Sequence, residues 1–600
     1  MGLFDEAYKT YDYHSNIAGF AINGMDPLAP CAHSVTRADL DITVDEAGHF
    51  IQAHVVDKKE PKIVFPVTEA SLTRSGVSVQ PHPLCEHLQY LVPYHEQKRG
   101  KYLQQLSDWI NSDYSNSLLL PIYLYVRNGT IVDDLCQANL VSLQEDGRLE
   151  KDKLFIRWRV LENGKEEASP CWLNQDLFKA FTNYYLDQKE KTAEKALCMV
   201  TSEVKPIAKL HPRGVFSLAG NAKIISSNDK NNFIYRGRFT APEEAVTVSF
   251  EASQKAHNVL RWLISNQGII IGNRVFICWE PQQIELPNIF GMRQSLTESE
   301  QEIIYNNVAD YRQMLKSTLQ GWEMALPEDG GKAVIASFEA ATKGRLSVTY
   351  YSELYASDFL KRIKKWDETC CWYRGSRGIC STSIREIIDC AYGSQRISET
   401  TEYLVTDDEL VSYQMQRLMS CRIDATPIPF DIVQSLVHRA SSPEKYSVKI
   451  RSKILNVACA VIQKYRYDKY KEECTMALEP EKKDRSYQFG RLLAILEKIE
   501  KETYKESETR DTSAIKMQSV FADRPLYAAR IIWQHVRTVY EIKLSKKDQD
   551  FFEDRMQNIM SLLSEYPDDV LRKPLNEMYL MGYYLERSYL YNNRYGGTNK

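Results

Sequence analysis

His82, Cys85, His87 and His95 are the closest grouping of metal-ligating residue types in the chain. Imidazole and thiolate both bind zinc, but this spacing matches no common closed site, and the grouping reads instead as a polar helix start with hydrogen-bonded histidines. Cys370, Cys371, Cys380 and Cys390 form a second grouping. Adjacent cysteines rarely reach one tetrahedral centre together, so these read as small core-filling residues. The acid pairs Asp39/Asp41, Asp133/Asp134 and Asp407/Asp408 could serve a metal nuclease only if several carboxylates converged on ions. No His-Asp dyad accompanies them, and they read as solvated faces or caps. Gly330-Gly331-Lys332 is followed by Ala333 and lacks the first glycine of a phosphate loop, so it reads as a turn before a strand. Gly375-Ser376-Arg377-Gly378 lacks the spacing of a nucleophile elbow. The expectation is no catalytic residue, no metal and no cofactor: a binding and assembly protein. The alternatives are a metal-dependent nuclease or hydrolase using Asp/His residues, and a purely structural adaptor.

A different chemistry is concentrated between Lys195 and Thr240. That stretch holds eight Lys/Arg (Lys195, Lys205, Lys209, Arg213, Lys223, Lys230, Arg236 and Arg238) against Glu203 and Asp229, in a chain of net charge -4. Asn221, Asn228, Asn231, Asn232 and Tyr235 are interleaved with the cations. Cations suit phosphate oxygens, amides can read base edges, and an aromatic ring can stack. A solvated surface with Asn-rich turns is the other reading that composition leaves open.

The elements that must position these residues are mixed. His49 to Val56 and Lys62 to Val67 are short β-type runs, and Arg74-Ser75-Gly76 reads as a polar turn. Tyr102 to Ile110 reads as an amphipathic helix, Leu154 to Val160 as a half-buried strand, and Lys179 to Cys198 as a helix. Ala256, Leu260 and Leu263 are spaced for a helix. Gly268 to Trp279 is a hairpin with Gly272-Asn273 at its turn. Pro281 to Glu300 is a polar loop. A second hairpin runs from Ala333 to Tyr351, followed by a helix from Ser357 to Trp366. From about Asp407 the pattern is helical, with apolar stripes at Phe489/Leu492/Leu496, Ile532/Val536/Val539, Phe552/Met556/Ile559 and Met578/Leu585/Tyr589. The fold class expected is α+β: a mixed N-terminal and central region with β-hairpins, then an all-α bundle. The expected division is 1–194, a central nucleic-acid-binding region 195–406, a helical connector 407–475 and a C-terminal bundle 476–600.

Bulk composition agrees with a multi-domain globular chain: 600 residues, 43% apolar and 26% charged. A pI near 6.3 excludes a uniformly basic nucleic-acid coat, so any polyanion site must be a patch. Thirteen irregularly spaced cysteines suit a reducing cytoplasm. The longest apolar run, Leu118 to Val126, is too short to span a membrane and contains Pro121. MGLFDEAYKTYDYH has no secretory pattern.

Several stretches, in order and spacing, resemble the large subunit of the type I-C CRISPR–Cas surveillance complex (Cascade). They are Thr73 to Leu91 (TRSGVSVQPHPLCEHLQYL), Cys198 to Val215 (CMVTSEVKPIAKLHPRGV), SSND, TAPEEA, VIASFEAATKGRLSVTYYSEL, STSIREIIDCAYG, FGRLLAILEKIEKE and LMGYYLERSYLY. The chain resembles a divergent member. Ser226-Ser227-Asn228, Ile234-Tyr235-Arg236-Gly237 and Thr240-Ala241-Pro242 stand where the family tends to have SFN, SYG and NAP. The resemblance implies a non-catalytic protein at the crRNA 5′-handle end. Such a subunit inspects target double-stranded DNA for the protospacer-adjacent motif, helps open the duplex and presents it to a helicase–nuclease. Its partners would be crRNA, target DNA, the Cascade backbone and crRNA-handle-binding subunits, and the helicase–nuclease. Lys205, Lys209, His211 and Arg213 are then expected at phosphates or the handle. Asn221 joins them as an interleaved amide. Asn228, Asn231, Asn232, Tyr235, Arg236 and Arg238 are expected at the motif. The C-terminal helices resemble the family's small subunit, which can arise from an internal start; Met476 is the candidate start, and Arg524 to Lys547 a basic face for strand contacts.

Overall fold

The computed structural model describes the chain except residues 1, 23, 75–77, 227–238, 283–304, 306, 325–329, 343, 399–400, 474 and 593–600. The fold is α+β. The chain divides into two compact units, one of Met1–Glu285 with Lys332–Glu353, the other of Leu286–Gly331 with Leu354–Lys600.

In the first unit, strands β1 (His33–Thr36), β2 (Leu40–Asp45), β3 (Phe50–Val55) and β4 (Ile63–Pro66) come early, β5 (Ile156–Leu161) and β6 (Ser169–Pro170) later. β1 pairs with β4, and the other four form a sheet in the order β3-β2-β5-β6. β2 and β5 run parallel, Leu40 opposite Ile156. A parallel pair is normally covered on both faces, and here β2 is buried from Leu40 to Val44. Tyr102, Leu106 and Trp109 of helix Glu96–Ile110 pack on it, with Ile122 and Tyr125 of helix Leu119–Asn128 and Phe181 of helix Gln175–Thr192.

Two expectations are corrected here. Alternation in LFIRWRV predicts a basic face in water, but Arg157 is buried. Asp41, expected on a solvated face or as a cap, is also buried; it receives Arg157 Nε and Arg159 Nε at 2.9 Å each. Both guanidiniums lie over the Trp172 ring, at 3.9 and 4.7 Å. The acid supplies the countercharge and the indole the flat surface that let Arg157 leave water, with the partly exposed Arg159 beside it. The helix predicted over Lys179 to Cys198 instead ends at Thr192, and Lys195–Leu197 is a strand.

The second sheet of this unit is an antiparallel meander, β12-β11-β10-β9. It comprises β9 (Ile269–Ile271), β10 (Arg274–Trp279), β11 (Lys332–Thr342) and β12 (Arg345–Tyr355), after the short pair β7 (Lys195–Leu197) and β8 (Val204–Pro206). The Gly272-Asn273 turn is as the sequence predicts, with Gly272 at φ +57°. Helix Leu3–Tyr13 and helix Phe250–Gln267 cover one face through Ala7, Tyr11, Ala256 and Leu260. Helix Phe250–Gln267 also joins the two sheets' cores: Phe250 belongs to the first, and Asn258 Nδ2 donates to the carbonyls of Ala29, Pro30 and His33. Pro281 to Glu300, expected as a loop, lies almost wholly outside the described residues.

The second unit holds two small hairpins and a set of helices. Gly375–Arg377 lies in the connection between strands Cys371–Tyr373 and Ile379–Ser381. The predicted apolar stripes become the inner faces of helices Arg485–Glu502, Pro525–Val539, Lys546–Leu563 and Met578–Asn592, except that Tyr589 of the last is exposed while the neighbouring Leu590 is buried. Helix Arg485–Glu502 is buried around most of its circumference. Two glycines let it touch helix Met578–Asn592 backbone to backbone. A Cβ on Gly490 would meet Tyr579 O at 1.9 Å, and one on Gly582 would meet Tyr487 O at 2.0 Å. No helix among the described residues is long and apolar enough to cross a membrane.

Candidate nucleic-acid interface

The basic stretch begins as the hairpin β7–β8, Lys195 opposite Pro206, with Ser202 in its turn at φ +57°. It then docks on the start of helix Phe250–Gln267: Ala208 N–H donates to Val248 O at 3.0 Å, and the Leu210 N–H donates to the buried Glu69 carboxylate. Past His211 the chain makes a tight loop. Gly214 at φ +70° donates to Ala222 O at 3.1 Å, and Phe216, Ala219 and Ala222 are driven into the core beneath the meander sheet. The surface residues between are thereby held in place by buried neighbours.

The structure separates the predicted site residues. Lys195 is paired with Glu190. Lys205 lies 2.8 Å from Glu203 and 3.3 Å from Glu251; the Glu203 hydrogen bond is the main reason its ammonium is pushed up to about 12. A phosphate at Lys205 must compete with two carboxylates. Lys209 is exposed. His211 is buried, its Nδ1 2.8 Å from Ser253 Oγ, and burial lowers it to about 4. Its ring is therefore neutral near pH 7 and turned inward. Arg213 is half-buried. It donates through Nη1 to Asn221 Oδ1 (3.1 Å) and through Nη2 to Arg74 O (2.6 Å). Asn221 itself is exposed. Asn228, Asn231, Asn232, Tyr235, Arg236 and Arg238 lie outside the described residues.

Arg213 leads to a cleft of about 590 Å³ that it lines together with Arg74, Arg261, Lys62, His82 and Phe65. Arg74 makes a two-pronged contact with Glu86, Nη1–Oε2 2.5 Å and Nη2–Oε1 2.9 Å. Burial alone would raise the Glu86 carboxyl, but His82, Arg74 and His87 outweigh it and hold it well below the usual range. The Glu86 oxygens also accept the backbone N–H of His82 (2.7 Å) and of His87 (2.6 Å). Lys62 is held 2.5 Å from Asp26. Arg261 is different. It donates to Gly214 O, Ser34 Oγ, Asn258 Oδ1 and Arg213 O, none of them a carboxylate, and burial lowers it to about 10. Burial, then the neighbouring Arg74, lowers Arg213 as well.

Arg74, Arg261 and Lys62 were not among the predicted site residues. Arg261 carries a signal that could have found it: a lone cation inside the apolar run NVLRWLI. Arg74 reads only as part of a polar turn, because its partner Glu86 is distant in sequence.

The His82/Cys85/His87/His95 grouping is dispersed. His82 Nδ1 is 2.9 Å from Ser71 Oγ, His87 Nδ1 is 2.9 Å from Glu86 Oε1, and His95 faces Asp152 at 3.5 Å. Burial pushes the Cys85 thiol up to about 12. Among the described residues no three His, Cys, Asp or Glu side chains are placed to hold a metal ion.

In the second unit, helix Pro525–Val539 buries Ala528, Ala529, Ile532 and Val536. Arg530 and Arg537, with Lys543 and Lys547 beyond, stand exposed on its outer side. The other basic segment, in helix Val448–Tyr470, is largely spent internally: Lys464 pairs with Asp468, Arg466 with Glu472 and Glu577, and Arg451 with Asp511.

No curated protein matches the chain. A family model does, that of the CRISPR-associated protein Cas_Csd1, over residues 8–591. That span takes in both units, the basic stretch, the arginine-lined cleft and the helix bundle, and the chain belongs to this family of CRISPR-associated proteins, the large-subunit family of Cascade.

Proposed function

We propose that this chain is the non-catalytic large subunit of a type I-C surveillance complex. In this reading it works in the cytoplasm, at the crRNA 5′-handle end, beside the backbone and crRNA-handle-binding subunits. It recognises the protospacer-adjacent motif in duplex DNA, aids strand separation and presents the target to a helicase–nuclease. Guide pairing supplies most of the sequence specificity, and the protein reads only a short motif. The observation that carries the reading is the segment Lys195 to Thr240, with a net charge of +6 in a chain of -4, placed in a family of CRISPR-associated proteins. Exposed Lys209 and the Arg213–Asn221 pair give that segment a phosphate-type and an amide-type contact on one fixed loop. Arg530, Arg537 and Lys543 offer a second backbone-contacting face for target or displaced strand.

In the complex co-expressed with a crRNA and the backbone subunits, Lys209→Ala should weaken binding to all duplexes and lower the log–log salt slope by about one. Asn232→Ala should instead change the preference among motif sequences. Equal losses on every motif for Asn232→Ala would remove that residue from motif reading, and an unchanged affinity and salt slope for Lys209→Ala would remove Lys209 from phosphate contact. A separate small subunit translated from Met476 is part of the same reading.

A further inference from the structure

The cleft beside Arg213 carries more positive charge than the fold uses. Arg74 is neutralised by Glu86 and Lys62 by Asp26. Arg213 and Arg261 have no carboxylate partner among the described residues, although both are partly shielded from water in the cleft wall. They are linked directly, Arg261 Nη2 donating to Arg213 O at 3.0 Å. A guanidinium has five N–H groups. Arg261 commits Nε, both hydrogens of Nη1 and one of Nη2 to protein oxygens. Arg213 commits one hydrogen on each Nη. One N–H of Arg261 and three of Arg213 remain. Two adjacent, partly buried cations without countercharge repel each other and lose hydration, and an anion that accepts several N–H bonds is the species that relieves the cost.

The cleft is too large for a lone oxyanion. At about 590 Å³ it falls within the roughly 300–1,000 Å³ of small-molecule sites. Phe65, Leu72, Ile264 and Ile270 contribute apolar lining, while Ser34 and His87 add hydrogen-bonding groups. An apolar body with an anionic head is the shape of a nucleotide. We propose that the cleft is a pocket for a single nucleoside phosphate unit, its phosphate held by Arg213 and Arg261 and its base against the apolar lining. The unit could be a free nucleotide or one nucleotide turned out of a strand; the second source rests on the nucleic-acid reading above.

The test uses the purified full-length chain and isothermal titration with AMP and UMP, their nucleosides and inorganic phosphate. Short oligonucleotides with and without a 5′-phosphate form a second arm. One equivalent of nucleoside monophosphate should bind, with inorganic phosphate and the nucleosides at least tenfold weaker. Arg213→Gln and Arg261→Gln should each weaken binding about tenfold or more. Arg213→Lys, which keeps the charge but loses the fork, should recover only part of it. Melting curves accompany every variant, and Arg213→Gln alone suffices if Arg261→Gln unfolds. Competition by oligonucleotides identifies a strand nucleotide as the occupant, and its absence a free nucleotide. Failure of both mononucleotides and oligonucleotides to bind, or equal binding by Arg213→Gln, overturns the proposal. A complex that still discriminates motifs while the pocket stays empty overturns the pocket alone. A chain that binds AMP within a complex indifferent to the motif overturns the earlier reading alone.

Discussion

Burial decides the ionisation of four histidines in the first unit. His33 and His211 are lowered to about 4, and His82 and His257 to about 3, with loss of hydration the leading cause in each. A base whose folded value lies below its ordinary 6.5 contributes stability above pH 6.5, because the neutral form is the one the fold accepts. That contribution drains away as pH falls from 6.5 toward 4, by about 1.4 kcal/mol per pH unit for each histidine. The first unit should therefore melt progressively lower between pH 7 and 5, as followed by circular dichroism; a midpoint unchanged over that range would contradict the assignment. Asp41 gives a sharper case. Removing it in Asp41→Ala takes the buried acid from both Arg157 and Arg159, leaves Arg157 only the half-exposed Glu60 at 2.8 Å, and should cost about 3 kcal/mol, read as a lowered midpoint in urea. At this scale the sequence was least informative. Arg157 and Asp41 lie in strands far apart in the chain, and only the parallel pairing of β2 with β5 brings them together. His211 sits between Lys209 and Arg213 in sequence, yet its ring turns toward Ser253 while their side chains face outward or into the cleft.

Among elements, the helices were the most legible, because a 3.6-residue apolar stripe survives whatever it packs against. The predicted hairpin Gly268 to Trp279 was legible for a similar local reason, its glycine turn. Long-range pairing was not legible: β3 and β4 are neighbours in sequence but pair with β2 and β1 respectively. The closest helix contact was also hidden. Gly490 and Gly582 lie in two of the stretches that carry the family resemblance, and the structure shows why neither can take a side chain. Gly490→Ala and Gly582→Ala should each destabilise the bundle by about 1–3 kcal/mol or more, seen as earlier loss of helical signal on heating. Wild-type melting in both variants would mean the helices do not approach so closely. The bundle's buried core runs from Phe489 to Leu590, all beyond Met476. A product started at Met476 would keep it, whereas one started at Met517 would lose helix Arg485–Glu502 from its centre. Met476 itself packs against Tyr311, Leu315, Cys371 and Ile379, so Met476→Leu is a mild change for the full chain. It should abolish a separate small product on a gel; an undiminished band would exclude that start.

For the whole molecule, the family match makes the chain a component of the CRISPR-associated machinery, and the local charge excess means that the nucleic-acid contacts proposed for it must be patches on an acidic protein. Such a protein gains little from non-specific attraction and must earn selectivity through a few placed groups. The central claim is that the chain supplies motif recognition to a guide-RNA complex. The most direct measurement compares equilibrium binding of the assembled complex, with and without this chain, to duplexes that share a guide-matched target and differ only in the flanking motif. The account predicts that discrimination among motifs appears only when the chain is present and that the preferred duplex binds at least tenfold more tightly. Equal binding to every motif with the chain in place, or discrimination that persists without it, would contradict the account.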